Sequence, residues 1–188
     1  MLFRSSGGTT GGDNGDNGDQ PPADPNAKYK LTGPETVGQF KRAKGPETQP
    51  LDEDDQQDLG VSNATELQVV YTLSGDTAPT GNDKGINFAG GWGDIADPGK
   101  TVDTIMEQAK QAAGQSTATA QQVNPSGMDN ATVKCMEVPT GTVCVWADNS
   151  TFAMVISAKL ESGKSQSVPM EEAINNTATL YKSARQPL

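Results

Sequence analysis

The chain has 188 residues, 24 acidic against 14 basic side chains, a formal charge of −10 and no histidine. Without histidine there is no Ser-His-Asp or Cys-His catalytic pair, no histidine metal site and no imidazole general base. An acidic chain is repelled by phosphate backbones, so nucleic acid is not an expected partner.

The apolar content, 33% hydrophobic and 5% aromatic, is unevenly spread. Beyond Met1, the only large apolar side chains over residues 1–26 are Leu2 and Phe3, among repeated glycine, proline and aspartate. Such a tract cannot bury enough surface to offset its ordering entropy, which predicts a disordered Gly/Asp/Pro-rich linker over 1–27. Its centre, Asp13 to Asp19, fails as a calcium loop: Gly15 falls where an oxygen ligand is required, and Asp24 replaces the bidentate glutamate. Met1-Leu2-Phe3-Arg4 is too short for a signal h-region but resembles the end of a transmembrane helix with its basic flank. The expectation is therefore the C-terminal part of a longer, membrane-anchored product, or a misplaced start codon.

From Lys28 onward the composition is that of one folded domain, expected over 28–188. A polar loop is expected near 43–60, where Lys41-Arg42-Ala43-Lys44 passes through Pro46 and Pro50 into Asp52-Glu53-Asp54-Asp55. Glu66 to Leu73 is rich in β-branched residues and predicts a strand. Ile86 to Ile95, carrying Gly90, Gly91 and Gly93, predicts a strand with a bulge or a close backbone approach. Asp97-Pro98 is a helix start, followed by Val102, Ile105, Met106, Ala109, Ala112 and Ala113 at helical spacing, with Gly114 suited to the end. Three strands are expected at about 131–138, 142–147 and 151–158. A last helix follows Pro169, with Met170, Ala173, Ile174, Thr177, Leu180/Tyr181 and Ala184 as its stripe. Segregated strand and helix signals predict an α+β fold: an antiparallel sheet of five to six strands with two helices packed on it.

Cys135 and Cys144 are the only cysteines. If Val138 faces Gly141 across the turn Pro139-Thr140, the two cysteines stand directly opposite each other. Proline disfavours a primed turn, but a type I turn keeps this register. Isolated buried thiols, a two-thiolate metal site and a redox pair are the alternatives; the last two lack further ligands or a Cys-x-x-Cys spacing. A structural disulfide is preferred, and it implies an oxidising, extracytoplasmic compartment. Trp146 shares the face of Cys144 and is expected to cover it. Asp148-Asn149 sits where a hairpin turn needs tolerance of left-handed φ, and Trp92, among glycines, is the candidate for an exposed platform. Trp92, Trp146 and Asp148 together form the candidate partner surface. No catalytic, cofactor or metal residues are assigned.

Three stretches together, Tyr29 to Pro34, Phe88 to Pro98 and Cys144 to Thr151, resemble an uncharacterised family of actinobacterial, streptomycete-type proteins. Its most specific segment is C-x-W-A-D-x-S-T; Ala153 departs from it where a glycine is expected. The resemblance implies an external domain behind a transmembrane helix and no particular activity. The expected function is a non-catalytic, linker-tethered binding or interaction module of the cell envelope, monomeric, with an unidentified protein or envelope component as partner. The alternatives are a carboxylate-dependent hydrolase of an envelope glycan and a structural envelope component. The four Asn-x-Ser/Thr sequons, at Asn63, Asn130, Asn149 and Asn175, carry no weight under a bacterial reading.

Overall fold

The computed structural model describes residues 27–78, 81–114, 117–161 and 163–188. The linker expected over 1–27 thus lies outside the described residues, apart from Ala27. The strands are β1 (Tyr29–Leu31), β2 (Thr36–Val37), β3 (Phe40–Pro50), β4 (Val61–Thr72), β5 (Lys84–Ile95), β6 (Gln121–Val123), β7 (Thr132–Val138), β8 (Gly141–Ala147), β9 (Thr151–Glu161), β10 (Lys164–Ser167) and β11 (Arg185–Pro187). The helices are α1 (Glu53–Leu59), α2 (Pro98–Ala112) and α3 (Met170–Ala184).

The class is α+β, built on an antiparallel sheet. That sheet has nine strands, more than the five to six expected, in the order β2-β3-β4-β5-β9-β8-β7-β6, with β10 paired to the end of β9. Two meanders make it. The first runs β3-β4-β5; α2 then carries the chain across one face, and β6-β7-β8-β9 returns until β9 pairs with β5 from Lys84↔Lys159 to Trp92↔Thr151. A separate ribbon joins β1 to β11, pairing Tyr29 with Pro187 and Leu31 with Arg185.

The helices cover opposite faces. Val102, Ile105 and Met106 of α2 share a core with Leu59 of α1 and with Val143, Val145 and Ala147 of β8. Ala173, Leu180, Tyr181 and Ala184 of α3 share the other with Cys144 and Trp146 of β8 and Phe88 of β5. Because successive strand side chains alternate between faces, β8 serves both cores and every one of its residues is buried. The expected stripe of α3 is the one that packs, and so is that of α2 except for Ala112, which is exposed. Asp97 accepts from the Lys100 N–H at 3.0 Å, Pro98 opens α2, and Gly114 beyond its end has φ +63°.

The polar loop expected near 43–60 is instead most of β3 and all of α1, a correction with a local cause. Most of β3's side chains are solvent-exposed, so its sequence carries no apolar alternation. Register shifts between Arg42 and Lys44 and between Lys44 and Glu47, around the cis Gly45-Pro46 bond, blur the pattern further. Beyond Lys41, β3 is a sheet edge, and proline, charge and bulges are how edges avoid pairing with other chains. Helix α1 has only seven residues and buries only Leu59. The acidic run Glu53-Asp54-Asp55 is its first turn, where negative charge complements the helix dipole.

Of the two readings of the glycines in β5, close approach is the one observed. A Cβ at Gly90 would lie 2.5 Å from both Ala153 Cβ and Phe152 O, and one at Gly91 would lie 2.6 Å from the Phe152 ring. The irregularity lies across the ladder in β4, between Ser62 and Thr65, where Asn63 takes φ +53°.

Candidate binding site

The β7–β8 hairpin has the expected register, from Thr132↔Ala147 through Cys135↔Cys144 to Val138↔Gly141. The cysteines are disulfide-bonded, with Cα atoms 4.1 Å apart, and neither has exposed surface. Pro139 and Thr140 keep negative φ, as a turn carrying proline requires. Trp146 lies in the same core as the disulfide, stacked on Phe88 at 5.8 Å and edge-on to Tyr181 at 5.7 Å.

Beyond Trp146 the chain turns from β8 into β9 through Asp148-Asn149-Ser150. Neither Asp148 nor Asn149 adopts positive φ, so tolerance of left-handed backbone is not why they occur here. Asp148 is needed for its carboxylate, which folds back over its own turn. Oδ1 accepts from the Ser150 N–H (2.8 Å), the Ser150 hydroxyl (3.1 Å) and the Thr151 N–H (2.7 Å). Oδ2 accepts from the Thr151 hydroxyl (2.9 Å) and from the Tyr181 hydroxyl of α3 (3.2 Å). Arg185 Nη2 stands 3.0 Å from the same Oδ2. Six donors on a carboxylate with about four lone-pair sites leave it saturated. It is 2% exposed, yet fully compensated.

Arg185 is the first residue after α3 and is held from three sides. Asp148 takes one edge of the guanidinium. The rings of Tyr29 and Tyr181 cover its faces, with centroids 3.8 and 4.1 Å from Cζ. Guanidinium stacked on aromatic rings gains from the ring quadrupole, most where water is excluded. Burial pushes the Tyr181 hydroxyl above its ordinary pKa, and the Asp148 charge adds to the effect. Tyr29 is fixed in turn by its N–H, which donates to Ser150 Oγ at 3.2 Å. The β1–β11 ribbon, the β8–β9 turn and the end of α3 therefore form one rigid assembly. Within it the Arg185 Nε–H is buried with no hydrogen-bond partner among the described residues.

A pocket of about 270 Å³ opens on this assembly. Arg185, Tyr29, Tyr181 and Asp148 form its floor and wall; Pro98 at the start of α2 and the exposed Asp129 and Asn130 border it. Lys28 stands beside it, its ammonium 3.2 Å from Asp94 and bonded to the Asn149 carbonyl.

The expected partner surface of Trp92, Trp146 and Asp148 needs correction. Trp146 is wholly enclosed between Phe88, Tyr181 and the disulfide, and the Asp148 carboxylate is turned inward. Trp92 is half-buried against the α3-side core, not an exposed platform. Only Asp148 borders the pocket. Arg185, Tyr29 and Tyr181 were missed because they lie far from Asp148 in sequence. The usable signal was Asp148-x-Ser150-Thr151, an Asx-turn pattern implying an inward carboxylate that needs a cation.

Among the described residues, no helix is long and apolar enough to cross a membrane, and no group of three or more Cys, Asp or Glu is placed to hold a metal ion. Comparison with protein-family models, with curated proteins and with solved structures returns no match.

Proposed function

We propose that this chain is an extracytoplasmic, linker-tethered, non-catalytic binding module of the cell envelope, of the actinobacterial type its C-x-W-A-D-x-S-T segment resembles. The pocket around Arg185 is its binding site. The disulfide supports the location, since such bonds persist in oxidising compartments.

The observation that carries the binding reading is the saturation of Asp148. A carboxylate serving as general acid or nucleophile needs a free lone pair or a proton to give. Asp148 has no free lone pair to offer, since six donors already occupy its two oxygens. Its role is to position Arg185 and Tyr181. A recognition group fixed in advance loses little rotamer entropy on binding, which favours affinity over turnover. The hydrolase alternative would need two working carboxylates in this pocket, and Asp148 is unfit to be one of them.

The test uses the folded domain, fluorescently labelled, on isolated cell envelopes of the producing organism, with envelope polysaccharide turnover followed in parallel. Saturable binding without release of reducing sugar is the expected result. Release of reducing sugar that Asp129→Asn abolishes would establish the hydrolase instead.

A further inference from the structure

We propose that the sheet face beside α2 is a docking slot for one amphipathic helix of a protein partner. The slot lies apart from the Arg185 pocket, and the two cavities share no lining residue. On this side of the sheet, β4, β5 and β9 place Gln68, Ala89 and Met154 in one cross-strand row and Val70, Asn87 and Ile156 in the next. Helix α2 packs on β7, β8 and β9, and α1 on β4. Between them Gln68 and Asn87 stay exposed, while Val70, Ala89, Met154 and Ile156 are only half-buried. On the opposite face of the same strands, Val69, Phe88 and Val155 are fully enclosed. An apolar face left half-open on a small domain marks an interaction surface.

The strands beneath the slot select a helix. β4 and β5 are interior strands, paired on both sides. A strand laid over them would leave its own N–H and C=O groups unpaired, whereas a helix satisfies its own. The dimensions agree. From Thr65 to Thr72 the slot is roughly 23 Å long, and from β4 to β9 roughly 10 Å wide. A helix of about 15 residues is about 22 Å long and about 10 Å across. The two ends of the slot carry opposite charge. Helix α1 closes one end, where its Gln56 side chain accepts from the Ala64 N–H at 3.3 Å. Its Glu53, Asp54, Asp55 and Asp58 are exposed, with no cationic partner among the described residues. At the other end Lys41 stands opposite Thr72, exposed and with no anionic partner among the described residues. The partner helix thus carries an apolar stripe, a basic end over α1 and an acidic end over Lys41. A second copy of this chain, itself at −10, is disfavoured by self-repulsion.

Isothermal titration and circular dichroism of the full chain with synthetic peptides of about 15 residues test this. The first peptide has a leucine stripe at helical spacing, lysines at one end and glutamates at the other. A second keeps that composition but scrambles the stripe, and a third carries glutamates at both ends. The first should bind saturably and gain helicity on binding. The scrambled peptide should not bind, and the third should bind at least about tenfold more weakly. Asn87→Lys, at an exposed position, sets a charge in the middle of the slot and should abolish binding with the melting curve unchanged. Lys41→Glu should weaken the first peptide and favour one with lysines at both ends. Equal binding of the striped and scrambled peptides, binding without gain of helix, or indifference to Asn87→Lys would overturn the proposal. So would sedimentation of the chain alone as a dimer that Asn87→Lys dissociates, since a second copy would then own the face. Asp129→Asn, at the rim of the other pocket, should leave peptide binding unchanged. Envelope binding without peptide binding would sink the slot and spare the binding module; peptide binding without envelope binding would do the reverse.

Discussion

Arg185 Nη2 lies 3.0 Å from Asp148 Oδ2, tying the β8–β9 turn to the junction of α3 and β11. The pair is almost closed to solvent, with side-chain exposures of 14% and 2%. Removing one partner of a buried pair strands the other charge, which typically costs 3–5 kcal/mol. Asp148→Asn should therefore destabilise the domain by about 3 kcal/mol or more. At this chain size that corresponds to a thermal midpoint lower by roughly 6–12 °C, read by circular dichroism. The double variant Asp148→Asn/Arg185→Met should lose much less than the sum of the singles. Additive losses would mean that the two residues are not energetically coupled.

The disulfide joins the middles of two strands and is inaccessible from outside, since Cys135 and Cys144 are both fully buried. Thiol titration in denaturant without reductant should find no free thiol. Under native conditions, dithiothreitol should reduce the bond only as fast as the domain opens, so the rate should climb with added urea. The paired Cys135→Ala/Cys144→Ala variant forfeits a nine-residue closure, worth roughly 2.5–3 kcal/mol on the chain-entropy model. Rapid reduction in the absence of denaturant would show that the hairpin is open to solvent.

What was legible in the sequence was local. The register of Cys135 against Cys144 follows from one turn and a period of two, and the stripes of α2 and α3 follow from a period of 3.6. Strand β3 was hidden because an edge strand with exposed side chains is held by backbone hydrogen bonds, to which polar side chains give no clue. The site was half legible. Asp148 stood out in a recognisable segment, but its purpose depends on Arg185, Tyr181 and Tyr29, which only the packed fold brings to it. A turn that looks chosen for backbone conformation is in fact chosen for a buried charge.

Gly90 gives a sharper test of the packing between the two meanders. It pairs with Ala153 across β5 and β9, and an added Cβ would meet Ala153 Cβ and Phe152 O at 2.5 Å each. Gly90→Ala should therefore cost about 1–3 kcal/mol, the usual range for overpacking. Ala153→Gly in the same chain should restore only part of this loss, because the clash with the Phe152 carbonyl is backbone and stays. Urea denaturation of the two singles and the double measures it. Full rescue would show that the side-chain contact alone sets the spacing of the strands.

Tyr71 provides a pH test independent of the pocket. It lies in β4 with no exposed surface, its hydroxyl donating to the Pro34 carbonyl at 3.1 Å. Burial pushes its pKa from 10.0 up to about 12, with the nearby Arg42 charge opposing. The native state thus holds the phenolic proton at a pH where the unfolded chain has released it. The resulting stabilisation is complete below pH 10 and is lost progressively as the pH rises toward 12, by on the order of 2 kcal/mol in total. Tyr71→Phe cannot release such a proton. It should be the less stable protein at pH 8 by about 1 kcal/mol, for the missing hydrogen bond, but it should decline less steeply through the alkaline range. Tyr181, also raised by burial, is present in both proteins and cancels in the difference. Urea unfolding of both proteins at half-unit steps from pH 8.5 to 11.5 gives the two curves. They should converge above pH 10; parallel curves would mean that Tyr71 ionises as freely in the native state as in the unfolded chain.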